Sequence, residues 1–165
     1  MRRLYCRHGG YEMPENASLN LRKYWQELSS DGTIPPKDAL DPLAMKAFLG
    51  NIAILDIVHD PLDFRFRLVG EHIQRGADTR LKGRLLREWA AQEQPRAGAL
   101  LDSCLECVRS ARPQFFDRRF SVGNAEWRRV CLVLPLLAGD EIGHLLVGCW
   151  YEHRLASVPL SSAGL

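Results

Sequence analysis

Apolar residues first recur at helical spacing between Leu19 and Ser30, where Leu21, Trp25 and Leu28 fall on one face. Asn16 or Ser18 offers a cap before that face, and Asp31-Gly32 supplies a left-handed stop after it. Asp41-Pro42 places a capping side chain before a first-turn proline, which predicts a second helix to about Leu49 carrying Leu43, Ala47 and Phe48 inward. The period then changes. Ile52 to Val58 is a nearly continuous β-branched and apolar run, as expected of a strand covered on both faces. Asp60-Pro61-Leu62-Asp63 reverses the chain into Phe64-Arg65-Phe66-Arg67-Leu68-Val69, whose alternation fits a half-exposed partner strand.

Residues Gly70 to Gln94 mix short polar and apolar pieces and predict irregular short helices. Pro95 then opens a longer helix to about Ala111, with Leu101, Leu105 and Val108 as its inward stripe. Three strands follow, Gln114 to Val122, Trp127 to about Leu137 and Glu141 to Tyr151, separated by the turn pairs Gly123-Asn124 and Gly139-Asp140. Charge blunts an open sheet edge, so the charged second and third strands belong at the edges. The expected architecture is α+β: a five-stranded antiparallel sheet of order 2-1-5-4-3, helices on one face, and the amphipathic N-terminal helix covering the other. Pro135 requires a bulge or a strand end, because a central strand cannot spare its donor, and a bend is expected there.

Composition narrows the class. With 165 residues, 46% of them hydrophobic, the chain is sized for one domain. It divides into an N-terminal tail (1–15), a helical segment (16–50), a sheet-containing core (51–151) and a C-terminal tail (152–165). The net charge of +2 is too small to suggest a chain built to hold nucleic acid or an anionic membrane. Neither is expected as a partner. The first residues carry charges with no apolar stretch behind them, and no apolar run approaches the roughly 20 residues of a membrane helix. Five cysteines without an export signal fit reduced thiols and a cytoplasmic location.

The order of strings along the chain adds a resemblance. Tyr24-Trp25, Ile34-Pro35, Asp41-Pro42-Leu43, the strand Phe64-Arg65-Phe66-Arg67-Leu68-Val69-Gly70 and Leu134-Pro135-Leu136 resemble a bacterial family of short, single-domain PAS proteins, over about Leu21 to Tyr151. The resemblance implies a module that binds something small and passes the result to a protein partner. It does not imply catalysis, and the segment Gly76 to Gly83 departs from the expected pattern.

Candidate chemistry is sparse. Phe66, Leu68, His72, Trp89, Leu101, Cys104 and Val108 are the candidates for lining a small-molecule pocket between sheet and helices; solid core is the plain alternative. Cys104-Leu105-Glu106-Cys107 has the spacing of a redox pair, yet Cys104 falls mid-helix, away from the dipole that would favour a thiolate. Cys6, His8, Cys131 and Cys149 supply no second pair at metal-site spacing, so no structural metal is expected. His72 and His144 are the positions at which haem would find an axial ligand. No Asn-Cys-Arg string of a flavin photosensor is present, and the cofactor is left unassigned.

Arg118-Arg119 and Arg128-Arg129 face each other if the hairpin turns at Gly123-Asn124, and Asp117 and Glu126 are the expected compensating acids. No Gly-x-Ser-x-Gly elbow, phosphate loop, dinucleotide turn or His-Glu-x-x-His helix occurs, and no enzyme is expected. The few residues beyond Tyr151 leave no room for an output domain, so output is expected through another molecule. Three readings follow. The first is a ligand-responsive regulatory module; the second is a ligand-free scaffold that homodimerises through Leu21, Trp25 and Leu28; the third is a thiol switch at Cys104 and Cys107.

Overall fold

The structure, a computed structural model, describes residues 13–93 and 96–155. Cys6, His8, Pro95 and the expected tail residues 1–12 and 156–165 lie outside the described residues. Helix α1 spans Pro14–Glu27, β1 Ile52–Val58, β2 Asp63–Val69, α2 Glu71–Arg75, α3 Leu86–Gln92, α4 Arg96–Ser110, β3 Gln114–Val122, β4 Ala125–Ala138 and β5 Glu141–Leu155. The strands form one antiparallel sheet in the order β2-β1-β5-β4-β3, as the placement of charge along the strands predicts.

Alternation on the strands divides the molecule into two apolar layers. On the inner face, Leu55, Phe64, Phe66, Cys131, Val133, Leu145, Val147 and Cys149 pack beneath Trp89 of α3 and Leu100, Cys104 and Cys107 of α4. On the outer face, Ile52, Leu132, Leu134, Leu136, Leu146 and Trp150 pack beneath Ala17, Leu21 and Trp25 of α1, with Met45 closing the side. The N-terminal helix is therefore part of the core. Trp25 is 8% exposed and its Nε1–H donates to the carbonyl of Pro135 at 2.9 Å.

That bond accounts for Pro135. The N and O of a strand residue point the same way, so a Pro135 oxygen bonded to Trp25 places its nitrogen away from β5. On that side β3 has already ended, at the pair Gln114–Val133. Pro35 O takes the next amide, from Leu137 at 3.0 Å, and the β4–β5 register shifts between Leu136 and Leu137. The proline thus sits where the sheet has no neighbour to disappoint.

Several elements differ from expectation. Helix α1 begins at Pro14, five residues before Leu19, because the proline itself opens the first turn; Asn16 and Ser18 lie inside it, and Ser18 Oγ donates back to Glu15 O at 2.8 Å. It ends at Glu27, and Leu28 falls just beyond it, half-buried. No α-helix forms over residues 42–49; a single 3-10 turn, Leu49–Asn51, ends the segment. Asp41 does cap, accepting from Leu43 N at 2.9 Å, but Leu43 is 84% exposed and Ala47 is exposed too. With only Met45 and Phe48 packed, one apolar face is missing, and the chain makes successive tight turns, such as Phe48 N to Met45 O at 2.8 Å. Strand β5 continues to Leu155, past Tyr151, because the β4–β5 hairpin stays paired as far as Ala125–Leu155.

Helix α4 is rotated relative to the expected stripe. Ala97, Leu100, Cys104 and Cys107 face the sheet fully buried, while Leu101, Leu105 and Val108 pack half-buried along the flank. Cysteine is buried as readily as the aliphatic residues, so a stripe read from Leu and Val alone is centred one residue too late.

Candidate functional site

The inner layer holds most of the pocket candidates. Phe66 and Trp89 meet edge to face, with ring centroids 5.8 Å apart at 75°. Cys104 lies beside them, and Leu101 and Val108 pack at the margin. Leu68 and His72 are not in this layer. The β1–β2 register shifts between Ile54 and Leu55, and Leu68 is left 40% exposed. His72 is exposed at the start of α2, its Nδ1 3.0 Å from Asn51 Oδ1.

An unmatched polar atom lies in this layer. Trp89 is 4% exposed, and its Nε1–H has no hydrogen-bond partner. A buried donor left in this state costs about 1–3 kcal/mol.

Toward the other end of the same face the register gathers groups that sequence spacing alone does not connect. Cys131 stands opposite Cys149, and Arg129 opposite Tyr151, across β4 and β5. Arg129, 4% exposed, lies over the Phe116 ring at 5.3 Å and shares a hydrogen bond with Tyr151. Cys104 and Cys107 come down on this group from α4. Burial pushes the Cys104 thiol well up and Cys107 to about 12, so neither carries a thiolate at neutral pH. Burial thus disfavours a thiolate on either member of the pair expected as a redox candidate. Cys149 behaves differently: a hydrogen bond from Cys131 and the charge of Arg129 hold its thiol below the ordinary value against the effect of burial.

Among the described residues, no cysteine lies on the outer face. His144 lies there, half-buried, with Nδ1 2.7 Å from Asp56 Oδ1, on the opposite side of the sheet from Trp89 and Cys104. Asp56 also receives Arg67 Nε at 2.7 Å. Burial opposes the charge on Asp56, but the bonds from Arg67 and His144 outweigh it and keep the carboxyl below its usual range. Neither histidine can serve a group seated against Trp89. Among the described residues, no three metal-ligating side chains converge on a point that would hold an ion.

The four arginines align as expected, Arg118 with Arg129 and Arg119 with Arg128. Their charges are divided between the two faces. Arg128 is gathered by Asp117 at 2.6 Å, Glu152 at 3.4 Å and Glu15 of α1. Glu15 and Glu152, rather than Glu126, join Asp117 in this role, which ties the start of α1 to the β3–β4–β5 end of the sheet.

The family profile described as PAS domain matches residues 13–150, a span that begins at the entry to α1 and ends in β5. The chain belongs to the PAS domain family. PAS domains are in general sensory and signalling modules, and the strand order and helix placement above are those of that fold. No curated protein matches the sequence. A solved structure similar to this PAS domain is described as an RNA-binding Light-Oxygen-Voltage receptor, with 16% identity and a TM-score of 0.45. The match covers 71% of this chain and 35% of that receptor chain. Among the described residues, no helix is long and apolar enough to cross a membrane.

Proposed function

We propose that this PAS domain is a non-catalytic regulatory module that takes a small, largely apolar molecule bearing a hydrogen-bond acceptor between the inner sheet face and helices α3 and α4. The single observation supporting it is the buried, unpartnered indole N–H of Trp89 within that layer. An acceptor placed there recovers the cost of the orphaned donor, and the apolar surroundings favour a ligand with little other polarity. Binding shifts the position of α3 and α4 by favouring the conformation that admits the ligand, and a protein partner reads the shift.

The test is a thermal-shift comparison of wild type and Trp89→Phe with a panel of apolar ketones, esters and amides. Compounds that raise the midpoint of the wild type and lose that effect in the variant support the reading. A panel that stabilises neither protein, or both equally, overturns it.

A further inference from the structure

We propose that Cys131 and Cys149 form an oxidisable dithiol site, in which a small hydroperoxide converts the cross-strand pair into a disulfide linking β4 and β5. The two residues are direct partners in the antiparallel register. Cys149 O accepts from Asn51 Nδ2 at 2.9 Å, so the polar backbone groups of Cys149 point toward β1 and away from β4. Pro135, four residues along β4 from Cys131 with no register shift between them, turns its oxygen to Trp25 rather than to β5, which gives the same result from the other strand.

Cys131 and Cys149 therefore occupy a non-hydrogen-bonded pair, where Cα atoms approach to about 4.5 Å and side chains lie closest. That separation is at the short end of the roughly 4.4–6.8 Å that a disulfide spans. The thiols already share a hydrogen bond.

The surroundings assign the roles. Arg129 and Tyr151 form the neighbouring cross-strand pair on the same face; the guanidinium favours a thiolate on either sulfur, and the hydrogen bond from Cys131 directs it to Cys149. The Cys149 thiolate attacks the peroxide oxygen, giving a sulfenic acid and releasing hydroxide, which takes up a proton as water. Cys131 sulfur then displaces the sulfenic oxygen as a second water while losing its own proton, so two thiols and one hydrogen peroxide become one disulfide and two waters. Helix α4 covers the pair, so the peroxide enters when that helix opens locally. Exchange with an external thiol reduces the disulfide again, which makes the site reversible.

The sequence supplies a clean readout. Trypsin cuts after Arg129 and Arg154 and nowhere between, so one peptide, 130–154, carries both cysteines, while 97–109 carries Cys104 and Cys107. The folded full chain is exposed to graded hydrogen peroxide, denatured without reductant, alkylated and digested. The expected result is loss of two hydrogens from 130–154, reversed by dithiothreitol, with 97–109 still alkylated twice. The dose is calibrated by oxidation of Met13, which is 43% exposed. A disulfide within 97–109, or an unoxidised 130–154 at doses that oxidise Met13, overturns the proposal. In Cys131→Ser, dimedone is expected to trap Cys149; a dimedone label on Cys104 or Cys107 instead contradicts the assigned roles.

Discussion

Replacing Trp25 tests whether the N-terminal helix is part of the folded core or an arm held in reserve for a second subunit. The side chain is 92% removed from solvent, lies between α1 and the outer sheet face, and makes one directed bond, to Pro135 O. An indole of about 200 Å² at about 25 cal/mol per Å² gives an upper bound near 5 kcal/mol for its burial. Trp25→Ala is therefore expected to cost about 3–5 kcal/mol, the range seen when a large aromatic side chain is deleted from a core. Trp25→Phe keeps most of the packing and strands the Pro135 carbonyl, for about 1–3 kcal/mol. Urea denaturation followed by far-UV circular dichroism reads both, with the midpoint falling in the order wild type, Phe, Ala at nearly constant slope. A Trp25→Ala variant within about 0.5 kcal/mol of wild type would show that α1 is not docked as described. Concentration-dependent dissociation without loss of monomer stability would instead assign Trp25 to a homodimer contact.

Gly70→Ala is expected to lower stability by about 1–3 kcal/mol or more, because its Cβ would strike the backbone carbonyls of Leu49 and Gly50, which cannot rotate away; an unchanged urea midpoint contradicts this. Stability should fall as pH rises above 9.0, since the unfolded Cys107 thiol gives up its proton near there while the folded one holds it to about 12. The loss approaches about 1.4 kcal/mol per pH unit for each proton so retained. Cys107→Ala should flatten the alkaline limb of a urea series, and an identical slope in the variant would be inconsistent with the burial described. Haemin should give no Soret shift, because His72 lies exposed beside Asn51 and His144 faces the wrong side of the sheet; a saturable shift abolished by His144→Ala would refute that placement.

Most of the strand order was legible because it rests on features each strand carries alone. Arg65 and Arg67 on β2, and Asp117, Arg118 and Arg119 on β3, mark edges whatever their neighbours are. What escaped depends on register. Counted outward from Gly139-Asp140 without interruption, Cys131 would face Gly148; the bulge between Leu136 and Leu137 advances β5 by one and brings Cys149 opposite instead. The gathering of Cys131, Cys149, Arg129 and Tyr151 is invisible without that one residue. Similarly, nothing in the local sequence distinguishes Leu101 from Leu100 as the inward residue of α4; the sheet it lands on decides. The turns over residues 42–49 failed as a helix for a related reason, since Asp41-Pro42 starts one well enough but Leu43 and Ala47 find nothing to cover them.

The inner layer around Trp89 is the centre of this account, and native mass spectrometry of gently purified wild type and Trp89→Phe addresses it most directly. The expected result is a small molecule retained in stoichiometric amount by the wild type and lost, or held much more weakly, by the variant. A wild-type chain that carries no added mass, together with a variant that is equally or more stable in urea, would contradict it and leave the buried indole as a tolerated defect in a solid core.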